Sequence, residues 1–436
     1  MVKLGVDFGS SFTTVSWINP LNGKPEAVKF NGDGSVKLPS AILSSNFGLV
    51  FGFQAQSYLE DVYKLPIEDR LEFLSCFIPS LKRILNASMI ETLGNREYLH
   101  EELLTLYFKH MLEMASAHCG HNTHFDNVTF SHPVEFEESK IAIIRKAFNN
   151  CGLTIKEVKY EPLAAVEGYS LEHAIQENEG ILVFDFGGGT IDVAYVQKRF
   201  STLKVVCEPR GSSTCGGQDL DYLIYEDLRK KVLKEYSFDI SQDGFVDYSI
   251  LNNCRRLKEY FSGPNDYYET QVALVVNGQF IHYKYGLNRD SFNNVIGGKV
   301  QEAINIAKQV IDDVHSHKHD INTVLLIGGS SQLTLIKEQF ATLLPNASVE
   351  TCGEKDIAVA LGNNYVANIT KSEPATNSTE GEEDSEIDIP LNTSKSIKCK
   401  NPVCGSEKCY KIMGRPGYHC VECGWEGANV TVTFNS

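Results

Sequence analysis

The feature that most constrains this chain is a glycine-rich hairpin that occurs twice. In Ile181-Leu-Val-Phe-Asp185-Phe186-Gly187-Gly188-Gly189-Thr190-Ile191-Asp192-Val193, an apolar run of strand type ends in a carboxylate; three glycines, a hydroxyl, a second carboxylate and another apolar run follow. Glycine admits positive φ and lets backbone N–H groups approach a ligand closely. A concavity of such groups binds anions, phosphates above all, and a carboxylate beside it can hold Mg²⁺ directly or through water. A tight β-turn needs only one or two glycines, so three between two acids point beyond a turn. Leu4-Gly5-Val6-Asp7-Phe8-Gly9-Ser10-Ser11-Phe12-Thr13-Thr14-Val15 follows the same plan. Internal repetition of this kind predicts two similar lobes facing each other across a nucleotide cleft. Neither hairpin fits Gly-x-Gly-x-x-Gly or Gly-x-x-x-x-Gly-Lys-Ser/Thr, which disfavours the Rossmann and Walker-type classes.

Composition narrows the field. A chain of 436 residues is long enough for two or three domains. A formal net charge of −16 disfavours a general nucleic-acid binder. No apolar run approaches the length of a membrane span. The chain enters a strand at once and meets Asp7, so no signal peptide is expected. The expected compartment is therefore the reducing cytoplasm, with the twelve cysteines as thiols or metal ligands rather than disulfides.

The second hairpin, with Glu161-Pro162-Leu163-Ala164-Ala165 upstream and Ile327-Gly328-Gly329-Ser330-Ser331 downstream, resembles the ATPase domain of 70-kDa heat-shock (DnaK-type) proteins. That domain belongs to the actin, hexokinase and heat-shock ATPase superfamily. The resemblance covers residues 1–371 and implies an α/β, two-lobed actin-like ATPase fold, a duplicated mixed sheet with flanking helices. Lobe I would span 1–170, lobe II 171–356, and a closing helix would run to 371. Asp7, Glu161 and Asp185 would organise Mg²⁺ and its water. Lys82, in Leu81-Lys82-Arg83, would reach the γ-phosphate with Thr190, and Asp185 or Asp192 would orient the attacking water. The nucleotide would lie against Gly9, Ser10, Ser11, Phe12, Gly187, Gly188, Gly189, Gly216, Gly217, Lys258, Ser262, Gly328, Gly329, Ser330 and Gln332. Catalysis of this type is mostly positioning and charge neutralisation.

The chain departs from the family at the base. Arg255 stands where the family has its ribose-binding glutamate. Glu259 and Gln332 stand where it has two arginines that stack on adenine. Stacked guanidinium groups contribute roughly 0.5–2 kcal/mol each, so losing two would cost roughly one to three decades of affinity. Weaker ATP binding or relaxed base choice is expected. The family's relay proline is retained as Pro133, but the relay arginine position is Ile141, beside Lys140.

Beyond the resemblance, Ser372–Pro390 holds seven acids and no base, the pattern of a solvated, disordered linker over 372–394. The residues left after it are too few for the family's peptide-clamping sandwich and lid, so that domain is expected to be absent. Five cysteines crowd into residues 395–436. Cys399-x4-Cys404 and Cys420-x2-Cys423 are each followed by glycine (Gly405, Gly424), as in zinc knuckles, and predict a four-cysteine Zn²⁺ ribbon. Tyr410, Tyr418 and Trp425 would form its small core. Cys409 is the spare thiol, and Cys404/Cys409 is an alternative first pair. Metal would supply the folding energy of so small a unit.

The combined expectation is a weak, Mg²⁺-dependent ATPase that acts as a nucleotide-driven switch for a protein partner or co-chaperone. Its cofactors would be ATP, Mg²⁺ and Zn²⁺. Nucleic acid is disfavoured, although the ribbon's lysines and arginines permit it, and no membrane partner is expected. The rivals are a non-hydrolysing nucleotide scaffold, a small-molecule kinase of the same superfamily and an actin-like filament former.

Overall fold

The computed structural model describes residues 2–45, 48–62, 76–86, 89–120, 123–241, 248–276, 279–352 and 357–365, with short strands at 409–411, 418–420 and 426–427. The chain divides into two units. The first comprises residues 1–240 and 248–367; the second comprises 241–247 and 368–436.

The first unit is built on two six-stranded mixed sheets. In one, Thr154–Tyr160 runs parallel to Phe125–His132, which runs parallel to Val2–Phe8. Val2–Phe8 then turns antiparallel into Phe12–Ile18, which carries Pro25–Ala27 and Leu38–Pro39. In the other, Ser348–Thr351 is parallel to Thr323–Ile327, which is parallel to Gly180–Phe186. Gly180–Phe186 turns antiparallel into Ile191–Arg199, which carries Thr202–Val205 and Arg210–Ser212. The two topologies coincide, so the repeat read in the hairpins extends to whole sheets. Both hairpins also share one register. Asp7 lies opposite Thr14 and Asp185 opposite Asp192. Matching bonds close them: Gly9 N–H donates to Phe12 O at 3.1 Å, and Gly187 N–H to Thr190 O at 3.0 Å.

Burial follows the sequence pattern. Gly180–Phe186 is buried along its whole length, as expected of a near-continuous apolar strand covered on both faces. Helices His100–Cys119 and Glu138–Asn150 contribute apolar faces to the first sheet's core, where Phe108 stacks on Phe148 at 4.2 Å and meets Phe8 edge-on at 5.5 Å. Helical periodicity over 97–119 overshoots at its start. Arg96–Leu99 instead pairs with Ile90–Leu93 as a hairpin, its turn carrying Gly94 at φ +62°. The helix expected over 294–315 is longer, Arg289–Ser316, because the Asn288 side chain caps it by accepting from Ser291 N at 2.8 Å.

The two sheets are joined where helix Glu161–Tyr169 crosses the short helix Ala358–Gly362. A Cβ at Gly362 would fall 1.7 Å from Ala164 O, and one at Gly168 would fall 2.0 Å from Ala358 O. Only glycine allows so close a backbone approach. Asn363 Nδ2 donates to Val6 O at 2.9 Å and to Ser131 Oγ at 3.0 Å. Beneath the junction, the buried Lys159 ammonium binds Glu167 Oε2 at 2.7 Å and Gly362 O at 3.3 Å. The remainder of the expected closing helix, 366–371, lies outside the described residues, as does the acidic stretch 372–394.

In the second unit, the described strands Cys409–Lys411, Tyr418–Cys420 and Glu426–Gly427 form an antiparallel sheet. Its register sets Cys409 directly across from Cys420. Of the expected zinc ligands, Cys399, Cys404 and Cys423 lie outside the described residues. Among the described residues, no helix is long and apolar enough to cross a membrane.

Candidate functional site

The site begins with the two hairpin bends. Positive φ is not what the three glycines supply: none of Gly187, Gly188 or Gly189 adopts it. They supply room. A Cβ on Gly188 would lie 2.4 Å from Ser11 Oγ, and one on Gly189 would lie 2.3 Å from Ser10 Oγ. The first hairpin's serines therefore lean directly on the second hairpin's bare backbone.

Helix Gly217–Tyr236 starts against the same bend. Gly217 N–H donates to Gly187 O at 2.8 Å, and Gln218 N–H to Gly188 O at 2.9 Å. A Cβ on Gly216 would lie 2.5 Å from Gly189 C. Asp219 caps the start by accepting from Gly216 N at 2.6 Å. Lys258, buried on helix Tyr248–Tyr260, donates to Gly217 O at 2.7 Å and pairs with Asp221 at 2.7 Å. Gly328 turns the chain at φ +80°, and Ser330 Oγ lies 3.5 Å from Gly187 O. The residues expected to cradle phosphate thus come together from five separate segments. Ser262 N–H bonds to Glu259 O, and Gln332 Nε2 donates to Ser331 Oγ. Neither bond reaches the glycine bends.

The acids converge on one ammonium. Lys82 Nζ binds Glu161 Oε1 at 2.7 Å, with both side chains under a tenth exposed. Burial opposes the charge on Lys82, yet Glu161 and then Asp7 push its pKa above the ordinary lysine value. Burial, then Glu161, raises the Asp7 carboxyl to about 7. Burial and Glu161 likewise raise Asp192 to about 7, against a hydrogen bond from Val134 N that holds it down. Asp185 is pushed well above the carboxylate range by burial, Glu161, Asp192 and Asp7.

Some contacts were not singled out in the sequence. Val134 N–H, next to Pro133, donates to Asp192 Oδ1 at 2.6 Å, tying the segment after strand Phe125–His132 to the second hairpin. Arg83 donates to Gly189 O at 3.1 Å and lies 3.9 Å from Asp219. Its only sequence signal is its place beside Lys82. Arg255 pairs with Glu259 at 2.9 Å and lies over the Phe12 ring at 5.2 Å, joining helix Tyr248–Tyr260 to the first hairpin.

This donor set fits a magnesium-bound nucleotide. Half-buried Asp7 and the buried Glu161, Asp185 and Asp192 outnumber their buried cation Lys82, an excess that a hard divalent cation neutralises with oxygen ligands. The glycine bends leave backbone where any side chain would fill the space. Two mixed sheets of one topology, each ending in an acid–glycine hairpin and meeting at a common seam, fit the two-lobed, actin-like ATPase fold. The chain belongs to the 70-kDa heat-shock family: a family model described as "Hsp70 protein" matches residues 66–380. It is similar to proteins named chaperone protein DnaK. That of Ureaplasma urealyticum serovar 10 is 26% identical over 370 residues, 83% of this chain and 57% of the relative. That of Metamycoplasma hominis is 26% identical over 351 residues, 79% and 56%. That of Mycoplasmopsis synoviae is 25% identical over 374 residues, 84% and 59%. The chain therefore spans less than three fifths of the length of these curated relatives.

Proposed function

We propose that this chain binds Mg²⁺·ATP between its two hairpins, hydrolyses it slowly, and uses the resulting lobe movement to signal to a protein partner or co-chaperone. The observation that carries this reading is the Lys82–Glu161 pair set among Asp7, Asp185 and Asp192 at the seam of two glycine hairpins. Asp7, Glu161 and Asp185 would hold the metal and its water. When bound, Mg²⁺ offsets charge on the β- and γ-phosphates. The backbone N–H groups of Ser10, Ser11, Gly188 and Gly189 would hold the phosphates. Lys82 and Thr190 would lie near the γ-phosphate, and Asp192, held by Val134 N–H, would orient water as a base or hydrogen-bond acceptor. Gly216, Gly217, Lys258 and the Gly328–Ser330 turn would support the nucleoside side. The domain limits proposed are 1–371 for the ATPase and 395–436 for a four-cysteine Zn²⁺ ribbon, in a protein of the cytoplasm.

Steady-state ATP hydrolysis by the wild-type chain beside Lys82→Ala and Asp185→Ala, with bound nucleotide assayed in parallel, tests the reading. Slow turnover lost by at least tenfold in both variants is expected, since each removes charge-assisted positioning at the phosphates. Equal turnover in all three would sink it. Bound nucleotide without turnover would favour the second reading, a non-hydrolysing scaffold. That reading is motivated by the altered base-binding positions Arg255, Glu259 and Gln332.

A further inference from the structure

The second sheet carries another cluster of ligand-type side chains, well removed along the chain from the hairpin bends. Helix Arg289–Ser316 ends before strand Thr323–Ile327, and that strand runs on to the Gly328 turn at the cleft. The helix's C-terminal end therefore lies at the opposite end of the sheet from the nucleotide site. There Cys207, Asp313 and His317 each bring a ligand atom within 4.8 Å of the others. Asp313 and His317 are one helical turn apart, which places them on one face. Cys207 comes from the segment that follows strand Thr202–Val205 and is 7% exposed.

Three further observations bear on what this cluster could hold. A thiolate, an imidazole and a carboxylate together suit a borderline-soft divalent ion; Mg²⁺ and Ca²⁺ prefer all-oxygen sets. The cluster sits at the C-terminal end of a 28-residue helix, where the helix dipole favours positive charge even though the Asp313, Val314 and His315 carbonyls already accept hydrogen bonds. The neighbouring His319 is committed elsewhere: its Nε2 lies 3.1 Å from Arg199 Nη2, and its ring stacks on Tyr195 at 5.9 Å. His317 Nδ1 lies 2.9 Å from Asp313 O and 3.3 Å from Ser316 Oγ, which leaves its Nε2 as the nitrogen free of these bonds; a tetrahedral ion held by three protein ligands keeps one position for water or an exchangeable group.

We propose that Cys207, Asp313 and His317 form a divalent-metal site of Zn²⁺ type with one open position, distinct from the cysteine cluster at 399–423. The bound ion clamps the end of helix Arg289–Ser316 to the segment leading into Arg210–Ser212. That segment pairs Gly211 with Asp192, so the clamp braces the strand that carries a cleft acid.

The test uses the metal-stripped full chain, with Zn²⁺ or Co²⁺ alone as the probe. Equilibrium dialysis should show one equivalent fewer bound to Cys207→Ser and to His317→Ala than to wild type. The Co²⁺ difference spectrum, wild type minus Cys207→Ser, should show the sulfur-to-metal charge-transfer band of a single thiolate. Zn²⁺ should raise the wild-type melting temperature by more than that of His317→Ala, whose exposed side chain can be removed without disturbing the core. A Cys420→Ser chain should still bind one equivalent, whatever becomes of the proposed ribbon. Equal binding by wild type and both lobe variants, or complete loss of binding in Cys420→Ser, would overturn the proposal.

Discussion

Lys82 is a residue whose role depends on its setting. Most lysines are solvated; this one is buried and bound to Glu161, with three further carboxylates close enough to act on its environment. The cluster has a consequence for pH. A carboxyl whose folded pKa is raised keeps its proton longer when folded, so its stabilising contribution is fully present below the unfolded value and is lost as pH rises. Asp7 and Asp192 move from 3.8 to about 7. Metal-free protein should therefore lose stability between pH 4 and pH 7, followed by urea denaturation, and Mg²⁺ with ATP should restore it at pH 8. A profile flat across that window would show the acids already compensated. The base-binding positions allow a gain-of-function test. Glu259→Arg with Gln332→Arg should tighten ATP by roughly one to three decades in a calorimetric titration. Submicromolar affinity in the unaltered chain would contradict the expectation behind it.

Among the elements, the hairpins matter most because they touch. Gly216 has Gly189 backbone where its Cβ would be. Gly216→Ala must push the helix start away from the bend and should lower nucleotide affinity by tenfold or more while leaving far-UV circular dichroism intact. Unchanged affinity would show that the bend yields without consequence. The second elemental contact is the Arg255 guanidinium over Phe12, which links helix Tyr248–Tyr260 to the first hairpin. A cation–π contact of this kind contributes about 0.5–2 kcal/mol. Arg255→Ala should therefore speed nucleotide release by roughly two- to thirtyfold in a stopped-flow chase, and an unaltered rate would show that the Arg255–Phe12 contact does not retain the nucleotide.

For the molecule as a whole, the buried Lys159–Glu167 pair lies under the seam of the two sheets. Removing one member leaves a buried charge alone and should cost roughly 3–5 kcal/mol, whereas replacing both with apolar residues of similar size is often neutral or stabilising. Lys159→Met and Glu167→Leu should each lower stability, and the double variant should recover most of the loss. Additive losses would mean that the two groups do not act as a pair. Scattering profiles with and without Mg²⁺·ATP test the proposed lobe movement directly; identical profiles would count against it.

Local pattern carried the repeated hairpins and the family resemblance, and through that resemblance it pointed to Asp7, Lys82, Glu161 and Asp185. These depend on residue type and short spacing, which a chain displays without being folded. The long helix Arg289–Ser316 was legible from its apolar period, though its start was set by the Asn288 cap. The approach of Val134 to Asp192, of Arg83 to Gly189 and of Arg255 to Phe12 was not legible, because each joins residues far apart in sequence. The same is true of Cys207 beside Asp313 and His317. What the amino-acid order determined by itself was a twice-written acid–glycine hairpin. Only the tertiary structure decided that the two copies abut, that the glycines serve contact rather than turning, and which distant charges share the buried seam. Burial raises the energy of those charges, and only the folded packing decides what is buried with what.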